Sequence, residues 1–308
     1  MAENVERESA ISRPAPADAL LMTIGVLAVA TSGPIIVATA APALAIAFWR
    51  NALGALATAP IVALRRRAEL RSMSRRQWQV TIGAGLLLAA HFAAWVPSLT
   101  LTSVASATAL VCLQPVWTAL IARWRGFEVT GRAWLGIVIS VAGAVALTGL
   151  DVSVSGDALL GDALALIGGI FSAAYVVLGE EARKSLGTST YTTVCYATAG
   201  IVLLAACVLT GSALGGYDTR TWWLLVAVTV GPQLLGHSVF NRVLRSVSST
   251  VVALVILFEI PGAALLAWVW LDQSLPWLAL PAIALLLGGL ALVVGSKTGG
   301  QTPSIPAE

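Results

Sequence analysis

The chain has 308 residues, with 18 Lys and Arg against 15 Asp and Glu, a net charge of +3 and 58% hydrophobic residues. At 11% charged residues and a mean hydropathy of +0.88, it carries more apolar surface than a soluble domain of this length can bury, which excludes an ordinary soluble module and points to a bilayer. Cys112, Cys195 and Cys207 form no CxxC pair and no GxxxxGK[ST] occurs, so the sequence predicts no metal site, no cofactor, no disulfide framework and no ATP-driven pump.

Residues 1–19 are polar and proline-containing and read as a cytoplasmic tail. A span needs roughly 20 mostly apolar residues. Ten follow in order, at about 20–40, 44–64, 78–98, 102–122, 133–150, 157–178, 190–211, 221–240, 249–270 and 277–295, with a second cytoplasmic tail at 296–308. The expected fold is an all-α membrane protein of ten transmembrane helices in two inverted five-helix repeats, residues 20–150 and 157–295. Lys and Arg gather in alternate connections: Arg7 and Arg13, Arg65 to Arg76, Arg123 to Arg132, Arg183 and Lys184, Arg242 and Arg245, and Lys297. The remaining connections hold Asp151, Asp157, Asp218 and Asp272, with Arg220 as their one basic residue. This alternation predicts both termini in the cytoplasm of a multi-pass inner-membrane protein. The stretch "RRRAELRSMSRR" has the charge of a nucleic-acid patch, but it joins two spans and has no partner basic domain, so no nucleic acid is expected.

Polar residues inside spans mark the expected transport path. Arg50, in span two, either holds an anionic substrate group or snorkels to the outer headgroups. His91 and Trp95 share one face of span three and suit a wet cavity that also stacks apolar groups. In span four, Pro115 has no backbone N–H for the carbonyl of Val111, and Gln114 stands ready to bridge the gap. Gln233, His237, Asn241 and Arg245 follow at i+4 steps in span eight and read as a polar stripe lining water. Glu259 reads as the only acid deep in a span. It lies two residues before Pro261, near the bilayer midplane, where a carboxylate suits proton coupling or substrate contact, or else a static hydrogen bond.

A shift of 146 residues pairs Gly33 with Gly179, His91 with His237, Ser103 with Ser249, Pro115 with Pro261, Trp124 with Trp270 and Gly143 with Gly289 in one ungapped frame. Each half holds five spans, and an odd number inverts the second half in the membrane. Interrupted helices at equivalent positions of two such halves point to a substrate site near the midplane.

"AFWRNALGAL", "HFAAWVPSLTLTSVASATALVCLQPVWTALIA", "GDALALIGGIFSAAYVVLGEEAR" and "VVALVILFEIPGAALLAWVWL" resemble the EamA-type drug/metabolite transporters over about residues 20–295. The resemblance implies ten helices in two inverted repeats around a central cavity, and movement of small metabolites, often outward. One departure stands out: the acidic loop signature after span four is "GFEVT" with Glu128, but after span nine it is "LDQSL", with Asp272 or Gln273 in its place. The expected function is a secondary active transporter of an amino acid, related compound or drug-like molecule, working as an exporter by alternating access. Its expected partners are a small-molecule substrate, the lipid bilayer and protons, in a monomer or weak homodimer. A passive channel is the alternative. An intramembrane enzyme is disfavoured because no paired intramembrane carboxylates, HExxH or Ser/His/Asp set occur.

Overall fold

The structure is a computed structural model that describes residues 15–152, 156–236, 239–240, 243 and 255–296. These residues build helices and connecting turns, with no strand among them. In chain order the helices are α1 (Pro16–Ala30), α2 (Ser32–Ala38), α3 (Ala43–Arg65), α4 (Arg67–Arg71), α5 (Arg75–Leu101), α6 (Val104–Val111), α7 (Gln114–Trp124), α8 (Gly131–Val152), α9 (Gly156–Arg183), α10 (Thr188–Thr210) and α11 (Thr219–Val228). A π-helical segment (Thr229–Gly236) continues α11, and α12 (Glu259–Leu271) and α13 (Ala279–Ser296) complete the chain. Among the described residues seven helical stretches are long and apolar enough to cross a membrane, and Gly131–Leu147 and Glu259–Leu271 are shorter apolar helices.

Local chemistry sets the helix ends. Pro16 opens α1, where its missing N–H would be unpaired in any case. Ser74 and Gln77 form a reciprocal capping box at the start of α5. Gly211 closes α10 in the left-handed region, at φ 66°. Asp218 caps α11, and the hydroxyl and backbone N–H of Thr221 hold its carboxyl below the usual range.

Four spans are not continuous α-helices. α1 and α2 meet at a turn on Thr31, α6 and α7 at Cys112 and Leu113, α11 passes into π geometry, and a turn at Leu257 and Phe258 precedes α12. The sequence places breaks at Pro115 and Pro261, near the middle of spans four and nine, and the structure shows their form. Each proline lies in the first turn of a separate helix, the second residue of α7 and the third of α12. There a proline costs no helical bond, so the chain breaks just before it. Both breaks are closed by short-range bonds, Leu113 N–H to Leu110 O at 3.2 Å and Phe258 N–H to Val255 O at 3.1 Å.

Packing respects an exchange of the two halves. α5 packs on α9 as the π segment packs on α1; α5 meets α10 as the π segment meets α3; α6 meets α9 as α12 meets α1. α3 with α10, α6 with α12, and α8 with α13 pair across the exchange axis. The last pair rests on close backbone approach. A Cβ on Gly143 would lie 2.6 Å from the Leu286 nitrogen, and one on Gly289 would meet the backbone of Ser140 and Gly136. These two glycines are mates in the 146-residue frame. Small residues at such crossings let helices approach without the hydrophobic drive that lipid removes.

The connections form two clusters. At one end the arginine-rich turn between α3 and α5 docks on the turn between α9 and α10: Glu69 accepts from the Gly187 N–H and the Thr190 hydroxyl, Arg76 pairs with Glu181 at 3.1 Å, and Gln77 donates to Ser185 at 2.9 Å. At the opposite end Trp49 donates to the carbonyl of Leu214 at 3.0 Å, and Gln273 accepts from the Val104 N–H at 3.1 Å. The departure at "LDQSL" thus has a structural counterpart. Asp272 turns into the left-handed region at φ 54°, and Gln273 reaches the start of α6, whereas Glu128 is exposed.

Candidate functional site

Arg50 sits at the centre of the strongest polar constellation. Its side chain is 2% exposed, so it does not snorkel to a headgroup. Nε donates to Gln233 Oε1 at 2.7 Å, Nη1 lies 3.4 Å from Ser32 Oγ, and the guanidinium carbon stands 4.2 Å over the centre of the Phe92 ring. Burying a guanidinium costs several kcal/mol unless hydrogen bonds and nearby charge offset it. The local structure supplies both. Ser32 opens α2 just after the turn at Thr31, and Gln233 lies in the π segment, so the two irregular segments bring polar groups to one arginine. π-bulges are frequent at functional sites because the wider turn re-aims side chains.

Glu259, the first residue of α12, supplies the charge. Its carboxylate is near enough to interact electrostatically with Arg50 and with Cys112 at the α6–α7 break, without a direct ion pair to Arg50. Tyr196 of α10 also feels the Arg50 charge, and its ring lies beside Gly54 and the Gln233 amide. Gln233 Nε2 and Asn51 Oδ1 are buried and have no hydrogen-bond partner among the described residues. Polar capacity beyond the Arg50 contacts is therefore present in this cluster.

His91 and Trp95, expected on one face of span three, and Gln114 form a second group packed against α9. His91 Nδ1 lies 2.9 Å from the carbonyl of Gly168, and because a carbonyl only accepts, Nδ1 carries the proton. The imidazole stacks on Trp95 at 5.7 Å and 10°. Gln114 Oε1 accepts from Ser172 of α9 at 3.0 Å, which ties the α6–α7 break to α9. The carbonyl of Val111 faces Gly169, beside the indole nitrogen of Trp117. Phe92, between His91 and the Arg50 cluster, joins the two groups through α5.

Of the polar stripe expected in span eight, Gln233 lies in the π segment and turns inward to Arg50 at 2% exposure. His237, Asn241 and Arg245 lie outside the described residues. Another acid lies nearer the end of an apolar helix. Asp162 on α9 is 1% exposed, one residue after Gly161, which abuts Leu101 and Thr102. Its signal is legible in "LLGDALAL", an acid inside an apolar run. Phe92 and Tyr196 are also missed by the sequence, because apolar and aromatic residues in a span give no local sign of what they face.

A crevice of about 490 Å³ lies at the end opposite the arginine-rich turn, between the halves, lined among others by Ser103, Ser106, Ala267, Gln273 and Leu275.

Two halves exchanged by a pseudo-two-fold, built of apolar helices whose breaks meet near a buried arginine and an acid, define a multi-pass membrane protein of the repeat-built transporter class. The chain belongs to the EamA-like transporter family, which matches residues 18–149 and 159–295 and lies in the drug/metabolite transporter superfamily. It is therefore a membrane transporter. A solved structure described as "Crystal structure of protein" is similar in fold, with a TM-score of 0.65 at 19% identity over 90% of this chain and 96% of that one. No curated protein matches the chain.

Proposed function

We propose that the chain is a secondary active exporter of a small metabolite with an anionic group, such as an amino acid or related compound, working in the inner membrane by alternating access of two inverted five-helix halves. The observation that carries this reading is the buried Arg50, held by Ser32 and Gln233 from two irregular segments and electrostatically linked to Glu259 at a helix break. A guanidinium recognises a carboxylate in a planar fork, while Phe92 and Tyr196 offer apolar surface to the rest of the molecule. The N-terminal ends of α7 and α12 add partial positive charge beside the breaks, which favours an anionic group there. Glu259 provides a group that takes up and releases a proton as its surroundings change, which supports coupling of export to a proton gradient. Ten spans, both termini in the cytoplasm, domains at 20–150 and 157–295, and a monomer or weak homodimer complete the reading.

Counterflow tests it. Proteoliposomes preloaded with unlabelled amino acids or related carboxylates are expected to take up the labelled compound transiently above equilibrium and to saturate. Linear, non-saturating flux without overshoot would make the protein a channel. Topology is checked separately: a reporter fused after residue 70 is expected to read cytoplasm and one in the 212–218 loop the outside, and the reverse pattern would remove the orientation on which export rests.

A further inference from the structure

Six of the twelve residues from Arg65 to Arg76 are arginine and one is acidic, a local charge of +5 (six minus one). Glu69 does little to neutralise it. Its oxygens accept from Gly187 and Thr190 at the start of α10, and its contact with Arg66 is long, at 3.9 Å. Arg76 is taken by Glu181. Arg65, Arg67, Arg71 and Arg75 remain exposed and outside every ion pair among the described residues. Arg67 and Arg71 are four apart on α4 and so share one face.

The apolar residues on either side set the depth of this patch. Leu64, the neighbour of Arg65 on α3, is 85% exposed, and Trp78, three residues after Arg75 on α5, is also exposed. Both helices are long and apolar enough to span. An exposed leucine belongs to hydrocarbon and an exposed tryptophan to the interface, which places the free guanidinium groups at the level of lipid phosphates. The turn is also held in place, because Glu69, Arg76 and Gln77 fasten it to residues 181–190 of the other half.

We infer that this surface is a docking site for the anionic headgroups of phospholipids in the adjacent leaflet, recognised by guanidinium forks on phosphate oxygens. A zwitterionic headgroup leaves the four charges uncompensated, so net negative lipids are preferred. Because the turn bridges both halves, lipids bound there hold the two halves together at that face of the membrane.

The test uses the full chain in detergent, titrated with phosphatidylglycerol or phosphatidylcholine, with bound lipid read by native mass spectrometry. Phosphatidylglycerol is expected to bind in preference, and affinity to fall about fivefold for each of Arg65, Arg67, Arg71 and Arg75 changed to Gln. In nanodiscs of phosphatidylcholine with phosphatidylglycerol the parent is expected to unfold at a higher temperature than in phosphatidylcholine alone, and R67Q/R71Q, which keeps the latch to α10, to lose most of that difference. Inorganic phosphate is expected not to reproduce it. Equal binding of the two lipids, an unchanged preference in the variants, or full replacement by inorganic phosphate would each overturn the proposal.

Discussion

Arg50→Ala is expected to lower counterflow of a carboxylate substrate by more than about thirtyfold, because removing one member of a buried, hydrogen-bonded charge pair costs about 2–5 kcal/mol and each 1.4 kcal/mol is tenfold. The loss should fall mainly on KM if the guanidinium holds the substrate before the halves move. Arg50→Lys keeps the charge but presents a compact ammonium in place of a fork, so it cannot serve Gln233 and a carboxylate together in the same geometry. It is expected to restore folding more fully than transport. The alanine variant also leaves the Gln233 amide oxygen without its donor, a cost of about 1–3 kcal/mol in stability. Thermal unfolding of both variants therefore accompanies the flux measurement. If Arg50→Lys is as stable as the parent and transports with the same KM, the arginine is a structural tie between the α1–α2 turn and the π segment, and the substrate is bound elsewhere.

Glu259→Gln is expected to abolish accumulation against a gradient while leaving exchange of labelled for unlabelled substrate. The amide keeps the size and most of the hydrogen bonding of a carboxyl group, yet it cannot bind and release a proton. Net uphill transport driven by an imposed pH difference should collapse to the passive level, whereas counterflow, which returns the carrier loaded in both directions, should persist. Loss of the negative charge also removes the electrostatic support that Glu259 gives Arg50, so substrate affinity is expected to change in the same variant. Asp162→Asn serves as the comparison, as a buried acid within another helix. A Glu259→Gln carrier with the parent's pH dependence and concentrative power would make the acid a static partner of the helix break.

The sequence by itself determined the class, the approximate spans and the two-fold repeat. Each is written in a signal that needs no knowledge of contacts: hydropathy summed over a window, the side of the chain on which arginines gather, and recurrence of His, Pro and Trp at one shift. It also marked Arg50 and Glu259, since a charge inside an apolar run is costly wherever its helix packs. What the arginine touches is a different kind of information. Ser32 and Gln233 lie 18 and 183 residues from it in sequence, and only the packing of α2, α3 and the π segment brings them to one guanidinium. The place of Gln233 shows the same limit: spacing puts it on one face of span eight, but the π segment that turns it to Arg50 stands where α11 packs against α2 and α3. Likewise, a proline shows that a helix cannot run through unchanged, but a first-turn position satisfies it as well as a kink does. The breaks before Pro115 and Pro261 face one another because α6 and α12 pair across the axis of the repeat, and that pairing is a free energy of association between distant segments, which no single stretch of sequence contains.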